Sequence, residues 1–285
     1  MTKNTIDIIC PLYNAENYIL NLNESLLKQK KVNVLNIKYL LTESSDNTEK
    51  ILNDNKITYE LIKKNDFSHS LTREKYALNS KADVIVFITQ DIIIEKADML
   101  YNLVSPILKG EVDATFARQL CNNNSIEKYT RELNYPENDY INSKEDIKEK
   151  GLRTFFFSDA CSAIKKDTFV KLNGYDNKNL PISEDMYIAY KLITNNYKIK
   201  YCSKAEVIHS HDFTLKQIYY RYKLTGKFFK MNSYLDKYGT NKSGGGLAKY
   251  VLKRAIQDKN GKVLIKFVPN MAARFIGMKV GKYGK

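Results

Sequence analysis

The chain has 285 residues, 43% hydrophobic and 27% charged, with 21 tyrosines and no tryptophan. That composition excludes collagenous, low-complexity and disordered classes, and the length suffices for one large α/β core with an appendage. The net charge of +14 is unevenly divided: residues 213–285 hold 17 Lys/Arg and two acids, Asp236 and Asp258, a net +15, whereas residues 1–212 hold 29 Lys/Arg and 30 Asp/Glu, a net −1.

A neutral body with a basic C-terminal quarter points to an anionic partner: a membrane surface, nucleic acid or a phosphorylated substrate. The four cysteines (Cys10, Cys121, Cys161 and Cys202) are widely spaced with no Cys-x-x-Cys pair. This argues against a zinc site or a disulfide framework and for a reducing cytoplasm. No window reaches the length of a transmembrane helix.

Through the first half, apolar runs alternate with helical patterns. Residues 6–10 read as a buried strand, 15–29 as a helix, 34–41 as a second strand, and a short helix starts near Asp46. A third strand at 57–62 precedes a helix at 70–80, and 84–88 is a wholly apolar fourth strand. Apolar strands separated by helices predict a doubly wound, mainly parallel sheet with helices on both faces. The second half is more mixed. A strand is expected at 113–118, helix plus loop across the polar segment 122–152, and strand pieces at 155–157 and 162–164. A helix follows the acids at 184–185, a strand leads to His209, and helices are expected at 214–231, 247–257 and 264–280. Residues 242–246, Lys-Ser-Gly-Gly-Gly, are the clearest linker signal.

Ligands of open α/β sheets bind beyond the carboxyl ends of the strands. There the chain carries Pro11-Leu12-Tyr13-Asn14, Thr42-Glu43-Ser44-Ser45-Asp46 and Thr89-Gln90-Asp91. Taken singly each is a turn or a helix cap; three polar ends on one edge suggest a site. Glu43 is placed to accept a base N3–H, Arg73 to offset a diphosphate and Asp91 to hold a divalent ion. His209 and His211 alternate on a strand end and share a face, and His69 and Arg73 share one by helical spacing.

In this order the strings FSHSLTRE (67–74), FITQD (87–91), ARQL (117–120), ELNYPEND (132–139), FFFSDACSAI (155–164), NGYD (173–176), ISEDMYIAYK (182–191) and EVIHSHDF (206–213) resemble family-two inverting glycosyltransferases of GT-A fold. More narrowly they resemble the rhamnosyltransferase branch. The resemblance implies a catalytic domain over 1–212, with a nucleotide-sugar half (1–120) and an acceptor half (121–212), and a helical extension over 213–285. It implies that Pro11, Tyr13, Asn14 and Glu43 line the nucleoside pocket, that His69, Arg73 and Gln90 contact the donor, and that Asp91 and His209 hold a divalent cation, Mg2+ or Mn2+. Thr89 replaces the first acid of the family's Asp-x-Asp, leaving one carboxylate for the metal. Asp185 corresponds to the general base, with Glu184 beside it; the alternative is a capping arrangement with Ser183.

The implied donor is dTDP-L-rhamnose, with a UDP-hexose as the alternative, and the implied acceptor is a cell-surface polysaccharide or its lipid-linked precursor. Tyrosines interleave with Arg221 and Lys223, as a nucleic-acid-binding surface requires, but the neutral body and acid-bearing strand ends argue that nucleic acid is no partner. The stripes Leu247/Val251/Ala255 and Val268/Met271/Phe275/Met278, flanked by lysines and arginines, predict amphipathic helices. These either dock on the inner face of an anionic membrane or pack on the catalytic domain or a second subunit.

Overall fold

A computed structural model describes residues 4–284, with the backbone alone for 240–244. The elements run β1 (Thr5–Leu12), α1 (Ile19–Leu27), β2 (Asn33–Thr42), α2 (Thr48–Asp54), β3 (Tyr59–Ile62), α3 (His69–Leu78), β4 (Val84–Ile88), α4 (Met99–Leu108), β5 (Ala114–Leu120), α5 (Ile126–Asn134), β6 (Tyr140–Asn142), α6 (Ile147–Lys150), β7 (Cys161–Lys165), α7 (Lys166–Lys171), α8 (Glu184–Thr194), β8 (Ile199–Ile208), α9 (Leu215–Met231), α10 (Thr240–Gln257) and α11 (Gly261–Tyr283). The eight strands form one sheet in the order β3-β2-β1-β4-β7-β5-β8-β6. Strands β3, β2, β1 and β4 are mutually parallel. β7 enters antiparallel between β4 and β5, and β6 closes the edge antiparallel to β8. The mixed, mainly parallel sheet expected from the strand pattern is the one observed.

Alternation along β1 and β4 supplies both faces. Ile6, Ile8, Val84 and Val86 pack under α1, α2 and α4, whereas Ile9, Ile85 and Phe87 pack with α3, α7 and α8. Asp7 interrupts the apolar run yet stays buried, because its carboxylate accepts from Ser80 Oγ at 2.5 Å and Asn36 Nδ2 at 2.8 Å.

Two expectations need correction, and one unassigned stretch gains a helix. Residues 155–157 are not a strand: a 3-10 turn spans Gly151–Phe155, and Phe155 and Phe157 are drawn into the aromatic core instead of a ladder. The Gly-rich run 242–246 is not a linker: α10 begins at Thr240 and runs through it. The poor helix propensity of glycine is overridden downstream, where Val251 and Ala255 are buried against Ile126 and Tyr129 of α5. The chain between Asp91 and Asp113, left unassigned above, contains α4, whose Met99, Leu100, Leu103, Val104 and Ile107 are all buried.

The C-terminal helices close on the body through glycines. A Cβ on Gly281 would run into the Lys223 carbonyl, one on Gly277 into that of Tyr219, and one on Gly226 into that of Met278. α9 and α11 therefore lie almost backbone to backbone, a separation only glycine permits.

Candidate active site

The parallel strands β1, β2 and β4 end at one edge, at the reversal of strand order. There a cavity of about 1010 Å³ opens, large enough for a nucleotide sugar. Pro11, Tyr13, Thr42, Lys64, His69, Arg73, Gln90 and Asp91 line it on the nucleotide side; Tyr135, Ser158, Asp159, Glu184, Asp185, His209 and His211 join them from the second half.

Asp91 meets the histidines because of a single bridge. Ile93 and Ile208 exchange backbone hydrogen bonds of 2.9 Å, which tie the segment after β4 to the end of β8. Asp91 Oδ1 thus lies 3.4 Å from His209 Nε2, and Oδ2 lies 3.6 Å from His211 Nδ1. One ligand atom from each of the three falls within 4.8 Å of the others. Burial acts to raise the Asp91 carboxyl, but the His209 hydrogen bond, the two imidazoles and Thr89 outweigh it and hold the group well below the usual carboxylate range. Burial, then His209, pushes His211 down to about 4, so its imidazole is neutral. His209 Nδ1 lies 2.9 Å from Gln119 Oε1, which orients the ring so that Nε2 faces Asp91. Two imidazoles and one carboxylate form a donor set that fits a divalent cation.

The second centre is anchored by Arg73. Its side chain is 2% exposed, and Nη1 donates to the His69 carbonyl at 3.0 Å and to Glu184 Oε1 at 3.2 Å. Glu184 is thereby engaged as the counter-ion of Arg73. Asp159, also buried, accepts from Ser162 Oγ at 2.7 Å and Tyr175 OH at 2.8 Å. Asp185 is half-buried at the cavity wall and accepts from the Met186 N–H at 2.7 Å. Burial, then Glu184 and Asp159, pushes its carboxyl well above the ordinary range. Burial likewise raises Asp159, to about 6, against the pull of Arg73. Ser183 makes no capping bond and sits at φ 63°, so the acids at the start of α8 are not spent on a capping arrangement with it.

The remaining predicted residues divide. Gln90 holds the Tyr13 loop through paired bonds of 2.7 and 2.9 Å to its backbone, and Lys64 Nζ lies 3.1 Å from Tyr13 OH. His69, its pKa lowered to about 4 by burial and then by Arg73 and Arg221, lines the cavity beside Arg73. Asn14 and Glu43 are not among the lining residues: Asn14 Oδ1 accepts from Ser45 N–H at 2.9 Å, and Glu43 Oε2 accepts from Lys64 N–H at 2.9 Å. Asp46 accepts from Thr48 and Glu16 and shapes the turn before α2. Sequence reasoning missed Gln119 and Asp159. Both stand inside strings quoted above, ARQL and FFFSDACSAI, but only their contacts reveal them.

A two-faced mixed sheet whose strand ends gather an acid–histidine cluster and a buried carboxylate group defines a GT-A-type glycosyltransferase. Residues 7–172 match the model of Glycosyl transferase family 2, and the chain belongs to that family. It is 32% identical over 285 residues to the O-antigen chain rhamnosyltransferase RfbN of Salmonella typhimurium, covering 98% of this chain and 90% of that one. It is 33% identical to the O-antigen chain rhamnosyltransferase WbaN of Salmonella anatum over 85% of this chain and 78% of the relative. Among solved structures, the mannosyltransferase PcManGT from Pyrobaculum calidifontis, bound to GDP-Man and Mn2+, aligns with a TM-score of 0.65 at 12% identity, over all of this chain and 89% of that one. S. aureus TarS 1-349 with UDP aligns at 0.56 and 14% identity, over 99% of this chain and 92% of that one. These last two likenesses concern the fold. Among the described residues no helix is long and apolar enough to cross a membrane.

Proposed function

We propose that this glycosyltransferase moves L-rhamnose from dTDP-L-rhamnose to a hydroxyl of a cell-surface polysaccharide or its lipid-linked precursor, with inversion at the anomeric carbon. The observation that carries the reading is that Asp185 lines the same cavity as Asp91, His209 and His211. The two rhamnosyltransferase relatives support the choice of sugar. The acceptor oxygen attacks the anomeric carbon, the bond from that carbon to the nucleotide oxygen breaks, and Asp185 takes the hydroxyl proton as the new bond forms. Arg73 keeps Glu184 neutralised, so that Asp185 is the carboxylate free for this role.

Asp91, His209 and His211 would hold a divalent cation, which offsets the diphosphate charge that develops on leaving. Two imidazoles favour Mn2+ over Mg2+, which prefers oxygen ligands. Tyr13, Lys64 and Gln90 form the nucleoside end, with the Lys64 ammonium 5.3 Å from the centre of the Tyr13 ring.

The exposed face of α11 is the surface that meets the membrane. Ile265 (81% exposed), Val268 (70%) and Phe275 (64%) stand beside Lys262, Lys266 and Lys279, an apolar row within a basic margin that suits anionic headgroups. The Leu247/Val251/Ala255 stripe is spent inward on α5, and of the Val268/Met271/Phe275/Met278 stripe Met271 and Met278 also pack inward, leaving Val268 and Phe275 exposed.

A thermal-shift panel of nucleotide sugars with and without Mn2+ tests the donor reading. dTDP-L-rhamnose is expected to raise the melting point most, and a chelator to remove most of that rise. A larger shift with a UDP-hexose would replace the donor, and a shift indifferent to chelator would remove the cation.

A further inference from the structure

His209 is the buried member of the Asp91 cluster, and its ring is gripped from behind by residues of two other elements. Gln119 of β5 is 1% exposed. It lies beside the ring because β5 and β8 pair in parallel, with Gln119 opposite Val207 and the His209 N–H donating to the Leu120 carbonyl at 2.9 Å. The Gln119 amide spans three partners: Oε1 stands 2.9 Å from His209 Nδ1 and accepts from Arg131 Nη1, and Nε2 donates to Ser158 Oγ at 2.8 Å. A guanidinium has donors only, so Arg131 selects the amide orientation that turns Oε1 toward the histidine. Arg131 Nη2 is itself 3.5 Å from His209 Nδ1. Both residues thus close on the Nδ1 edge of the ring, and Nε2 is left facing Asp91.

Arg131 is fixed in its turn. Its guanidinium lies 5.7 Å from the centre of the Tyr135 ring, and Nε lies 3.3 Å from Glu127 Oε2, one turn earlier on α5. The helix is anchored from outside by α10, through the packing of Ile126 and Tyr129 with Val251 and Ala255 and through Arg254 Nε, which donates to Glu132 at 3.2 Å. A guanidinium beside a cluster that would hold a cation repels that cation, so its presence there calls for a compensating benefit. We propose that Arg131 and Gln119 are positioning residues for the cation site. They hold the His209 ring with Nε2 presented to the ion, and Glu127 offsets the guanidinium charge. The proposal rests on the cation reading above. It makes α5, and α10 behind it, the support of a site none of whose ligands they carry.

The test titrates Mn2+ into the full chain, with and without saturating dTDP, and follows the free-ion EPR signal; pulsed EPR of the bound ion detects directly coordinated nitrogen. The wild type is expected to bind Mn2+ and to show nitrogen modulation. Gln119→Leu should weaken Mn2+ by about 10- to 100-fold, the usual effect of losing a residue that orients a metal-bound histidine, and should reduce the modulation. Gln119→Glu, which still offers an oxygen to both partners, should retain both; a loss there as large as in Gln119→Leu would assign Gln119 to packing and overturn the proposal. Arg131→Met with Glu127→Gln, which keeps the net charge, should also weaken Mn2+ and reduce the modulation. The sign of the Arg131→Met change alone separates the two roles: a positioning residue weakens Mn2+ when lost, whereas a merely neighbouring charge tightens it. Tighter binding in Arg131→Met, or wild-type affinity and modulation in Gln119→Leu and the double variant, would overturn the proposal. No Mn2+ binding to the wild type in either condition would sink the cation reading, and this proposal with it.

Discussion

Asp185 is set apart from its neighbours by what surrounds it. Glu184 is taken by Arg73, and Asp159 by Ser162 and Tyr175, so of these three acids only Asp185 keeps a carboxylate face to the cavity without a side-chain partner among the described residues. Replacement by Asn preserves shape and removes the proton acceptor. Asp185→Asn is therefore expected to cut kcat by about 10²- to 10⁴-fold with donor binding unchanged; turnover near wild type would move the base elsewhere.

The raised carboxyls also set a pH dependence. Asp159 titrates near 4 when unfolded and is pushed up to about 6 in the fold, so between those values the native state binds more protons than the unfolded one. The Asp159 contribution to stability should consequently fall as pH rises from about 4 to about 6, opposite to that of His69 and His211, which are pushed down to about 4; the difference between wild type and Asp159→Asn in chemical denaturation at stepped pH would read it. Activity runs the opposite way, because Asp185 must be ionised to accept a proton. Asp159→Asn removes a charge that raises Asp185, so the rising limb of kcat/KM against pH is expected to move to lower pH. An unmoved limb would show that the two carboxyls do not sense each other.

At the scale of elements, the α9–α11 pair is the joint on which the far wall of the cavity depends. Gly226, Gly277 and Gly281 bring the two backbones into contact, and Tyr222 and Arg274 sit on the helices so joined. Gly281→Leu would force α11 away from Lys223. Overpacking of this kind costs about 1–3 kcal/mol and should lower the melting temperature by about 2–8 °C. It should leave the Asp91 cluster intact, since that cluster is set by the Ile93–Ile208 bridge. An unchanged melting curve would mean that the helices can separate freely.

On the scale of the whole molecule, the charge division acquires a direction. The neutral first three-quarters builds the sheet and the strand-end site, and the basic last quarter forms α9, α10 and α11, of which α11 leaves Ile265, Val268 and Phe275 exposed among lysines. At about 1 kcal/mol per engaged Lys or Arg, a few side chains give reversible binding to an anionic leaflet. Co-sedimentation with anionic vesicles is expected at low salt and should drop at high salt, with little binding to neutral vesicles. Ile265→Glu with Phe275→Glu should abolish it and leave the melting point unchanged. Failure to bind either vesicle type, together with a dimer in solution that these substitutions dissociate, would assign the α11 face to a second copy of the chain.

Local signals in the sequence determined much of this protein. The apolar runs of β1, β2 and β4, the polar ends after them, the acids opening α8 and the alternating histidines at the end of β8 all depend on neighbours a few residues away. Period and composition report such features directly. What only the tertiary structure decided rests on long-range contacts. The Ile93–Ile208 bridge adds His211 to the Asp91–His209 pair. The Arg73–Glu184 pair, 111 residues apart, separates two adjacent acids into counter-ion and free carboxylate. The triple Phe of 155–157 looks like a strand by propensity but is claimed by an aromatic core whose members come from β5, β8 and the loops around them. The Gly-rich 242–246 looks like a linker but is helical because α10 is anchored on α5 downstream. In each case burial against a distant partner outweighs a local preference of a few tenths to about 1 kcal/mol per residue, and the sequence alone does not reveal which partner that is.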